Sequence, residues 1–406
     1  MLDIYGACKV GDLARVKFIC EKLKEESDEV FFYRPDPQGH FPLDITVIND
    51  HYECFKYLFE TYDLNPLHLN ELGQCSFSYA IEQSRGNFLK ILVDCFKKYV
   101  PGRTIEDFLT IVSINKDNQC ALQVAVESSH PGAENTLIIL VEFLKMTAPL
   151  RRSLFIGAIR ICNTVMIDTI LSYGKIEEEE KRDLINLNFN PTSNYMKRVN
   201  KLSEAETTPL IYAINRKDRQ LVNFLLSDYL IDVNLLNTPL LDQSPLYAAV
   251  TQNDVETVLL LTEKDANKSL GVKGVLPLQH AINCRVQYAQ NLDSKQAKEN
   301  FMIIELLATC ANDVHLLNDA GFCPFDIAVM YQYTDVIEHF YSVQGDLYEK
   351  KNKLGKTPIQ HADVQYEQLL RQKFPEINLN QKEFISNQME KALEGIKEID
   401  LGQGLP

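Results

Sequence analysis

Residues 321–328 read Gly-Phe-Cys-Pro-Phe-Asp-Ile-Ala, and this short pattern recurs along the chain. In each clear copy a proline precedes an apolar residue, which we call the anchor. These copies are Phe41-Pro42-Leu43, Thr208-Pro209-Leu210, Ser244-Pro245-Leu246, Leu276-Pro277-Leu278, Cys323-Pro324-Phe325 and Thr357-Pro358-Ile359. A period of about 33 residues predicts a solenoid, because so short a unit cannot bury its apolar face alone and must stack on its neighbours.

Each repeated unit is predicted to be a turn followed by two helices. The nine anchors are Leu43, Phe77, Leu122, Phe155, Leu210, Leu246, Leu278, Phe325 and Ile359. Alanine follows eight of them by three residues, and such a small residue lets two helices pack closely. Many anchors are preceded at four residues by glycine, asparagine or aspartate, which tolerate the positive φ of a tight turn. A second apolar stripe about twelve residues later predicts the second helix.

This order of turn, helix and helix, with Thr-Pro-Leu at 208–210 and Asp-Val-Asn at 232–234, resembles the ankyrin repeat family over residues 1–370. The resemblance implies an all-α solenoid of about nine helix-turn-helix repeats. Residues Ile4 to Ala7 and Gly11 to Leu13 resemble an N-terminal capping helix pair. The unit around Phe155 lacks the turn motif and is the least typical copy.

Three inserts interrupt the period. The insert near residues 97–110 has apolar positions of its own and is expected to extend helices. The insert at 172–206 is charged and carries Asn-Pro-Thr-Ser, so we expect a partly mobile loop. The insert at 285–300 falls between two helices and is expected to project as a finger.

The C-terminal segment, residues 371–406, is assigned to a capping helix and a disordered tail. Within 381–399 the apolar residues Phe384, Ile385, Met389, Leu393 and Ile396 recur at helical spacing. An amphipathic helix of this kind caps the last repeat or, alternatively, is a detachable helix that a partner recognises.

Composition bounds the partners. The formal net charge is −15, and no basic patch appears, which disfavours nucleic acid and anionic membrane surfaces and favours a basic partner. No apolar run reaches the length of a membrane span, and residues 1–18 do not form a signal peptide. We therefore expect a soluble, cytoplasmic protein without disulfides. Cys75, Cys120 and Cys323 are expected to be small, half-buried side chains.

Catalytic motifs are absent from the sequence: there is no HExxH, GxSxG or GxGxxG. Gly355-Lys356-Thr357 lies in register with the repeated turns, and His280 and His361 are expected to be interior histidines. No catalytic, metal or cofactor site is predicted, and no cofactor is expected. The alternative is an enzyme whose site is built from the inserts, because ten cysteines and eight histidines allow a Cys–His pair to meet by chance.

The resemblance places a partner along the turn tips and the first helices of the repeats. Early repeats fill the exposed positions with polar side chains such as Gln74, Glu82, Gln119 and Glu127, whereas later repeats are apolar or aromatic there. We predict that the partner-binding residues are Leu241, Val272, Val275, Phe322, Met330 and Tyr331. Alternatively, the insert at 285–300 folds over these side chains, or Leu240 and Leu241 belong to an interior turn.

The function predicted from these observations is a non-enzymatic, monomeric scaffold that binds a partner protein on the concave face of the repeats. Degenerate, asparagine-rich repeats without tryptophan also resemble the ankyrin proteins that intracellular bacteria send into eukaryotic hosts. That likeness implies a secreted effector that binds a host protein in the host cytoplasm. A resident eukaryotic scaffold and a self-associating scaffold are the alternatives.

Overall fold

The computed structural model describes residues 3–25, 29–94, 96–102, 104–110, 114–117, 119–128, 130–143, 146–190, 206–237, 242–288, 291–343 and 350–374. Over these ranges the protein is all-α. The helices are α1 (Ile4–Val10), α2 (Leu13–Glu25), α3 (Pro42–Ile48), α4 (Tyr52–Tyr62), α5 (Ser76–Glu82), α6 (Gly86–Asp94), α7 (Phe96–Tyr99), α8 (Ile105–Thr110), α9 (Ala121–Glu127), α10 (Ala133–Glu142), α11 (Ala148–Arg160), α12 (Thr164–Ser172), α13 (Glu178–Ile185), α14 (Pro209–Arg216), α15 (Arg219–Ser227), α16 (Pro245–Thr251), α17 (Val255–Glu263), α18 (Pro277–Cys284), α19 (Lys295–Leu307), α20 (Ala311–His315), α21 (Pro324–Met330), α22 (Thr334–Val343) and α23 (Val364–Lys373). Short 3₁₀ helices cover Glu29–Tyr33, Arg285–Tyr288 and Pro358–His361.

The chain divides into two compact units, the first formed by residues 1–209 and 218–231 and the second by 210–217 and 232–406. In the first unit α1, α3, α5, α9 and α11 follow one another, each in contact with the next. In the second unit α16, α18, α21 and the 3₁₀ helix at 358–361 do the same. We call these helices the anchor row, since all of them except α1 carry an anchor.

Each α-helix of the anchor row also packs against the next α-helix in sequence. The pairs are α1 with α2, α3 with α4, α5 with α6, α9 with α10 and α11 with α12 in the first unit, and α16 with α17, α18 with α19 and α21 with α22 in the second. The predicted N-terminal helix pair and the pair around Phe155 are both present. The alternation of first and second helices follows the two apolar stripes of the sequence.

The predicted core is confirmed. All nine anchors are buried, and the most accessible of them, Ile359, is 8% exposed. Seven of the eight alanines three residues later are fully buried, whereas Ala362 is half-buried. Thr46, which takes the alanine position in the first unit, is also buried, and its Oγ1 donates a hydrogen bond to the Leu43 carbonyl at 2.7 Å. The small residues therefore lie inside the helix pairs, as close packing requires.

The turns are joined to one another by backbone hydrogen bonds. The carbonyl of Gly73 accepts a hydrogen bond from the Lys116 N–H at 2.7 Å, and the carbonyl of Gly321 accepts one from the Lys353 N–H at 3.3 Å. Gly321 has a φ of +86°, and a Cβ at this position would lie 2.6 Å from the Cβ of Lys353. Glycine is needed there both for the left-handed backbone and for the approach of the next turn.

A buried carboxylate links two turns of the first unit. Asp44, on α3, accepts hydrogen bonds from the Phe41 N–H at 3.0 Å, from Asn70 Nδ2 at 3.0 Å and from Ser76 Oγ at 2.6 Å. Burial raises the pKa of this carboxyl group, although the three donors oppose the shift. Asn70 is itself fixed, since its Oδ1 accepts from the N–H groups of Leu72 and Gln74. The side chain of Asp44 thus fixes the next turn against α3.

The inserts differ in part from their predicted forms. The first insert adds the short helices α7 and α8, and Leu109 of α8 is fully buried, as its apolar pattern suggested. The second was expected to be a loop, but its described part contains α13, which Arg151 of α11 anchors through an ion pair with Glu180 (3.2 Å). The three consecutive glutamates of α13 favour a helix start, because negative charge is stabilised at a helix N-terminus. Residues 191–205 lie outside the described residues.

The third insert was expected to project as a finger, but its described part packs on the protein at both ends, where Arg285, Ala297 and Asn300 are buried. It forms the 3₁₀ helix at 285–288 and the first turns of α19, both of which contact α18. The start of the insert is held against the protein by the buried side chain of Arg285. The predicted capping helix at 381–399 and the disordered tail lie outside the described residues.

Candidate partner-binding surface

The structure describes five of the six residues predicted to bind a partner. Leu241, with its neighbour Leu240, lies outside the described residues. Val272 and Val275 are half-buried, and their backbones bond to each other through two N–H···O bonds of 3.0 Å. They shape a tight turn ahead of α18 and were predicted to face the solvent more fully than they do. Met330 and Tyr331 are exposed at 49% and 47%, as predicted, and Phe322 is half-buried.

Phe322 and Tyr331 lie at opposite ends of α21. A helix of seven residues is about 10 Å long, so roughly this length separates the two aromatic residues along the helix. The ring of Phe322 packs edge-on against His361, with ring centroids 5.6 Å apart. Its carbonyl accepts a hydrogen bond from Gln279 Nε2 at 2.9 Å. The turn that carries Phe322 is therefore held by both neighbouring anchor-row segments.

Tyr331 is the outer member of a column of aromatic rings that also contains a buried arginine. Its ring stacks on Tyr333, with centroids 5.6 Å apart and an interplanar angle of 18°. The guanidinium of Arg285 lies 5.9 Å from the Tyr333 centroid and 5.2 Å from the Phe301 centroid. Arg285 is 3% exposed and forms an ion pair with Asp335. The start of the third insert thus supports Tyr333 through Arg285, and the tyrosine at the end of the column keeps its exposed surface.

The polar positions of the early repeats pair with each other, which sequence reasoning missed. Gln74 Nε2 donates to both carboxylate oxygens of Glu82 at 2.9 Å, and Gln119 Nε2 donates to Glu127. Each pair spans one anchor-row helix, and a cleft of about 520 Å³ is lined by Glu82, Gln119, Glu127 and neighbouring residues including His130. Burial raises the pKa of Glu82. The signal available in the sequence was the spacing of eight residues between a polar turn position and a glutamate in both repeats.

A cysteine and a histidine do meet, on α18. His280 Nε2 lies 3.5 Å from Cys284 Sγ and 3.1 Å from Thr251 Oγ1, and Tyr247 stacks on the imidazole with centroids 4.4 Å apart. Burial lowers the pKa of His280 and raises the pKa of Cys284. Both shifts favour a neutral imidazole and a neutral thiol at pH 7, whereas a nucleophilic cysteine needs its thiolate.

We expect His280 to make the folded protein less stable in mild acid. Because its pKa is lower in the folded protein than the 6.5 of the free side chain, the unfolded chain binds more protons below that pH. Stability is therefore lost as the pH falls from about 6.5 toward the folded pKa, by at most about 1.4 kcal/mol per pH unit for one proton. Melting temperatures at pH 7.5 and 5.0 should show a smaller acid loss in His280→Gln than in the unchanged protein. Equal losses would contradict the assignment.

The other predicted interior residues are placed as follows. Cys75, Cys120 and Cys323 are fully buried, not half-buried, and burial raises their thiol pKa to about 11, about 11 and about 12. His361 is half-buried, and its Nε2 accepts a hydrogen bond from Asn352 Nδ2 at 2.8 Å. Thiols with these pKa values are protonated at pH 7, which fits a packing role.

The described ranges contain neither a candidate metal site nor a candidate membrane span. Nowhere in them do three or more histidine, cysteine, aspartate or glutamate side chains form a group that could hold a metal ion. None of the helices in the same ranges is long and apolar enough to cross a membrane.

Comparison with known proteins gives no family. No protein-family model matches the chain. No curated protein matches it significantly either. The function is therefore inferred from the residues of the chain itself.

Proposed function

We propose that the protein is an ankyrin-repeat solenoid of about nine repeats with an N-terminal cap, and that it binds a partner protein on the concave face of the repeats. The successive contacts within the anchor row of each unit support this assignment. So do the glycine turns joined by backbone hydrogen bonds and the buried alanines between paired helices. A stack of this kind leaves a row of turn tips and first helices as a continuous surface for a partner.

The observation that carries the proposal is the pair of aromatic side chains at the two ends of α21. Tyrosine and phenylalanine supply large contact areas, and tyrosine is enriched among the residues that dominate protein interfaces. Phe322 is packed against His361 and Tyr331 against Tyr333, so both rings are ordered before a partner arrives. Little further side-chain entropy is lost on binding to such a surface. Met330 adds an exposed apolar side chain beside Tyr331.

The proposed role is binding and not catalysis. The neutral protonation states favoured for His280 and Cys284 support this choice over an enzyme with a Cys–His site. The net charge of −15 supports a protein partner with basic character and disfavours nucleic acid. Two settings fit the proposal: a bacterial effector that binds a host protein in the host cytoplasm, and a resident eukaryotic scaffold.

The proposal predicts that Phe322→Ala combined with Tyr331→Ala weakens partner binding by about 30-fold or more, since an interface residue of this kind contributes about 2 kcal/mol. Affinity purification from eukaryotic cell lysate with the unchanged protein identifies the partner, and calorimetry then compares the two proteins. Tyr229→Ala is the matched control, because Tyr229 is a 76% exposed tyrosine of the other unit. The proposal would be contradicted if the double variant, with unchanged circular dichroism, bound the partner as tightly as the unchanged protein does. Sedimentation at several concentrations tests the self-associating alternative.

A further inference from the structure

A column of stacked side chains ends at the protein surface; from the inside outward it consists of Phe301, Arg285, Tyr333 and Tyr331. Inside, the guanidinium of Arg285 lies between two aromatic rings, at 5.2 Å from the Phe301 centroid and 5.9 Å from the Tyr333 centroid. Its Nε and Nη1 atoms are buried and have no hydrogen-bond acceptor among the residues that the structure describes. The electron-rich faces of the two rings therefore provide part of the environment that stabilises this buried cation. The column already holds one guanidinium between aromatic faces.

The outer end of the column has the same chemistry, and the described residues leave Tyr331 47% exposed there. One face of the Tyr331 ring lies against Tyr333 at an interplanar angle of 18°, so the exposed surface of Tyr331 belongs to its other face and its edge. Met330, the preceding residue, is 49% exposed. An arginine or lysine side chain that crosses a methionine with its methylene stem and ends over a tyrosine face makes both apolar and cation–π contacts.

The charges beside Tyr331 favour a cation. Gln332, the next residue, donates a hydrogen bond from Nε2 to Asp363 Oδ2 at 2.9 Å. The Asp363 carboxylate is therefore bonded to the sequence neighbour of Tyr331. The other oxygen of Asp363 accepts from the Tyr366 N–H at 2.8 Å. A carboxylate has lone pairs for further donors after these two bonds. Asp335, on the inner side of the column, is already paired with Arg285.

We propose that the free face of Tyr331 receives an arginine side chain of the partner protein, which extends the column by one guanidinium and donates to Asp363. This inference rests on the proposed function and names the chemistry of the partner at that surface. Arginine fits better than lysine, because a planar guanidinium stacks on a ring and donates sideways at the same time, whereas an ammonium is a compact and strongly hydrated charge. The net charge of −15 adds a general attraction for a basic segment.

The test uses the full chain labelled with ¹³C at its methionine methyl groups, of which there are seven. The probes are the blocked pentapeptide Gly-Leu-Arg-Leu-Gly and its versions with citrulline or lysine in place of arginine. Citrulline keeps the shape of arginine and removes its charge. We expect the arginine peptide to shift the Met330 signal with an affinity about two- to five-fold above that of the citrulline peptide, the size of an exposed cation–π contact. The lysine peptide should lie between them.

The variants separate the ring from the general charge of the surface. Tyr331→Phe should keep the preference for arginine over citrulline, Tyr331→Leu should abolish it, and Tyr229→Leu should leave it unchanged. Equal affinity for all three peptides, or an unchanged preference in Tyr331→Leu, overturns the inference. A Met330 shift that appears on raising the protein concentration without peptide assigns this face to a second copy of the chain and also overturns it.

The outcomes distinguish this inference from the proposed function. If the double variant at Phe322 and Tyr331 loses its protein partner while the three peptides bind the unchanged protein equally, the result contradicts only the proposed arginine contact. If that variant keeps its partner at full affinity, the result contradicts the proposed binding surface and the arginine contact together.

Discussion

Replacing Phe325 by alanine is expected to destabilise the second unit by about 3–5 kcal/mol, the range for truncating a fully buried aromatic residue. Phe325 is the anchor of α21 and is 2% exposed. Its ring meets Phe340 and Tyr341 edge-on, with centroid distances of 6.0 Å and 5.7 Å. Alanine would remove both contacts and leave a cavity between α21 and α22, because close-packed neighbours relax only in part.

The measurement is urea unfolding followed by circular dichroism, together with hydrogen exchange of individual peptides. Protection should fall most in α21 and in α18 and α22, the two helices of the second unit that it contacts. The control is Phe18→Ala, the same chemical change at a residue that is 56% exposed, for which a loss below about 1 kcal/mol is expected. Equal effects of the two substitutions would contradict the assignment of Phe325 as a core anchor.

Replacing Asp44 by alanine should cost the first unit about 3 kcal/mol or more. The substitution removes the acceptor of two buried donors, the Phe41 N–H and Ser76 Oγ, and one of the two acceptors of Asn70 Nδ2, which keeps its hydrogen bond to Tyr79 Oη at 3.2 Å. Each unsatisfied buried donor costs about 1–3 kcal/mol. The loss is partly offset because a carboxylate with a raised pKa no longer has to be kept in the interior.

Unfolding curves again give the free energy, and Asp168→Ala is the matched control. Asp168 is an exposed aspartate of α12 in the same unit, and its removal should change stability by no more than about 0.5 kcal/mol. A second check is Ser76→Ala, which removes one of the three donors without removing an acceptor from another group and should cost less than Asp44→Ala. An Asp44→Ala protein as stable as the control would show that Asp44 does not hold the turn.

Local rules account for the part of the fold that the sequence predicted. The anchors, the alanines three residues later and the glycine turns depend on period, side-chain size and backbone conformation, which a single sequence displays. All nine anchors are buried, and Gly39, Gly73, Gly274, Gly321 and Gly355 all have positive φ. The paired helices and their order could therefore be derived before any coordinates.

The inserts and the column below Tyr331 could not be derived in the same way. Arg285 lies in an insert without a periodic pattern, and its place between Phe301 and Tyr333 depends on residues up to 48 positions away. The charged residues of α13 were predicted to lie in a loop. The ion pair between Arg151 and Glu180 that holds this helix joins segments distant in sequence, so a local pattern does not display it. Exposure at Met330 and Tyr331 was predicted correctly because it follows from helical register alone. The proposed arginine contact was argued from these long-range contacts, which no repeat pattern displays.

The bonds between turns also say where new sequence can be added. Gly73 and Lys116 are 43 residues apart and Gly321 and Lys353 only 32, yet both pairs form the same backbone hydrogen bond. The difference in length is taken up by the short helices α7 and α8, outside the turns. Loop-closure entropy grows slowly with length, so a tag or a fluorescent reporter placed near residues 100–104 should leave the neighbouring turns in register. That site offers a practical handle for following the protein in cells without touching Phe322 or Tyr331.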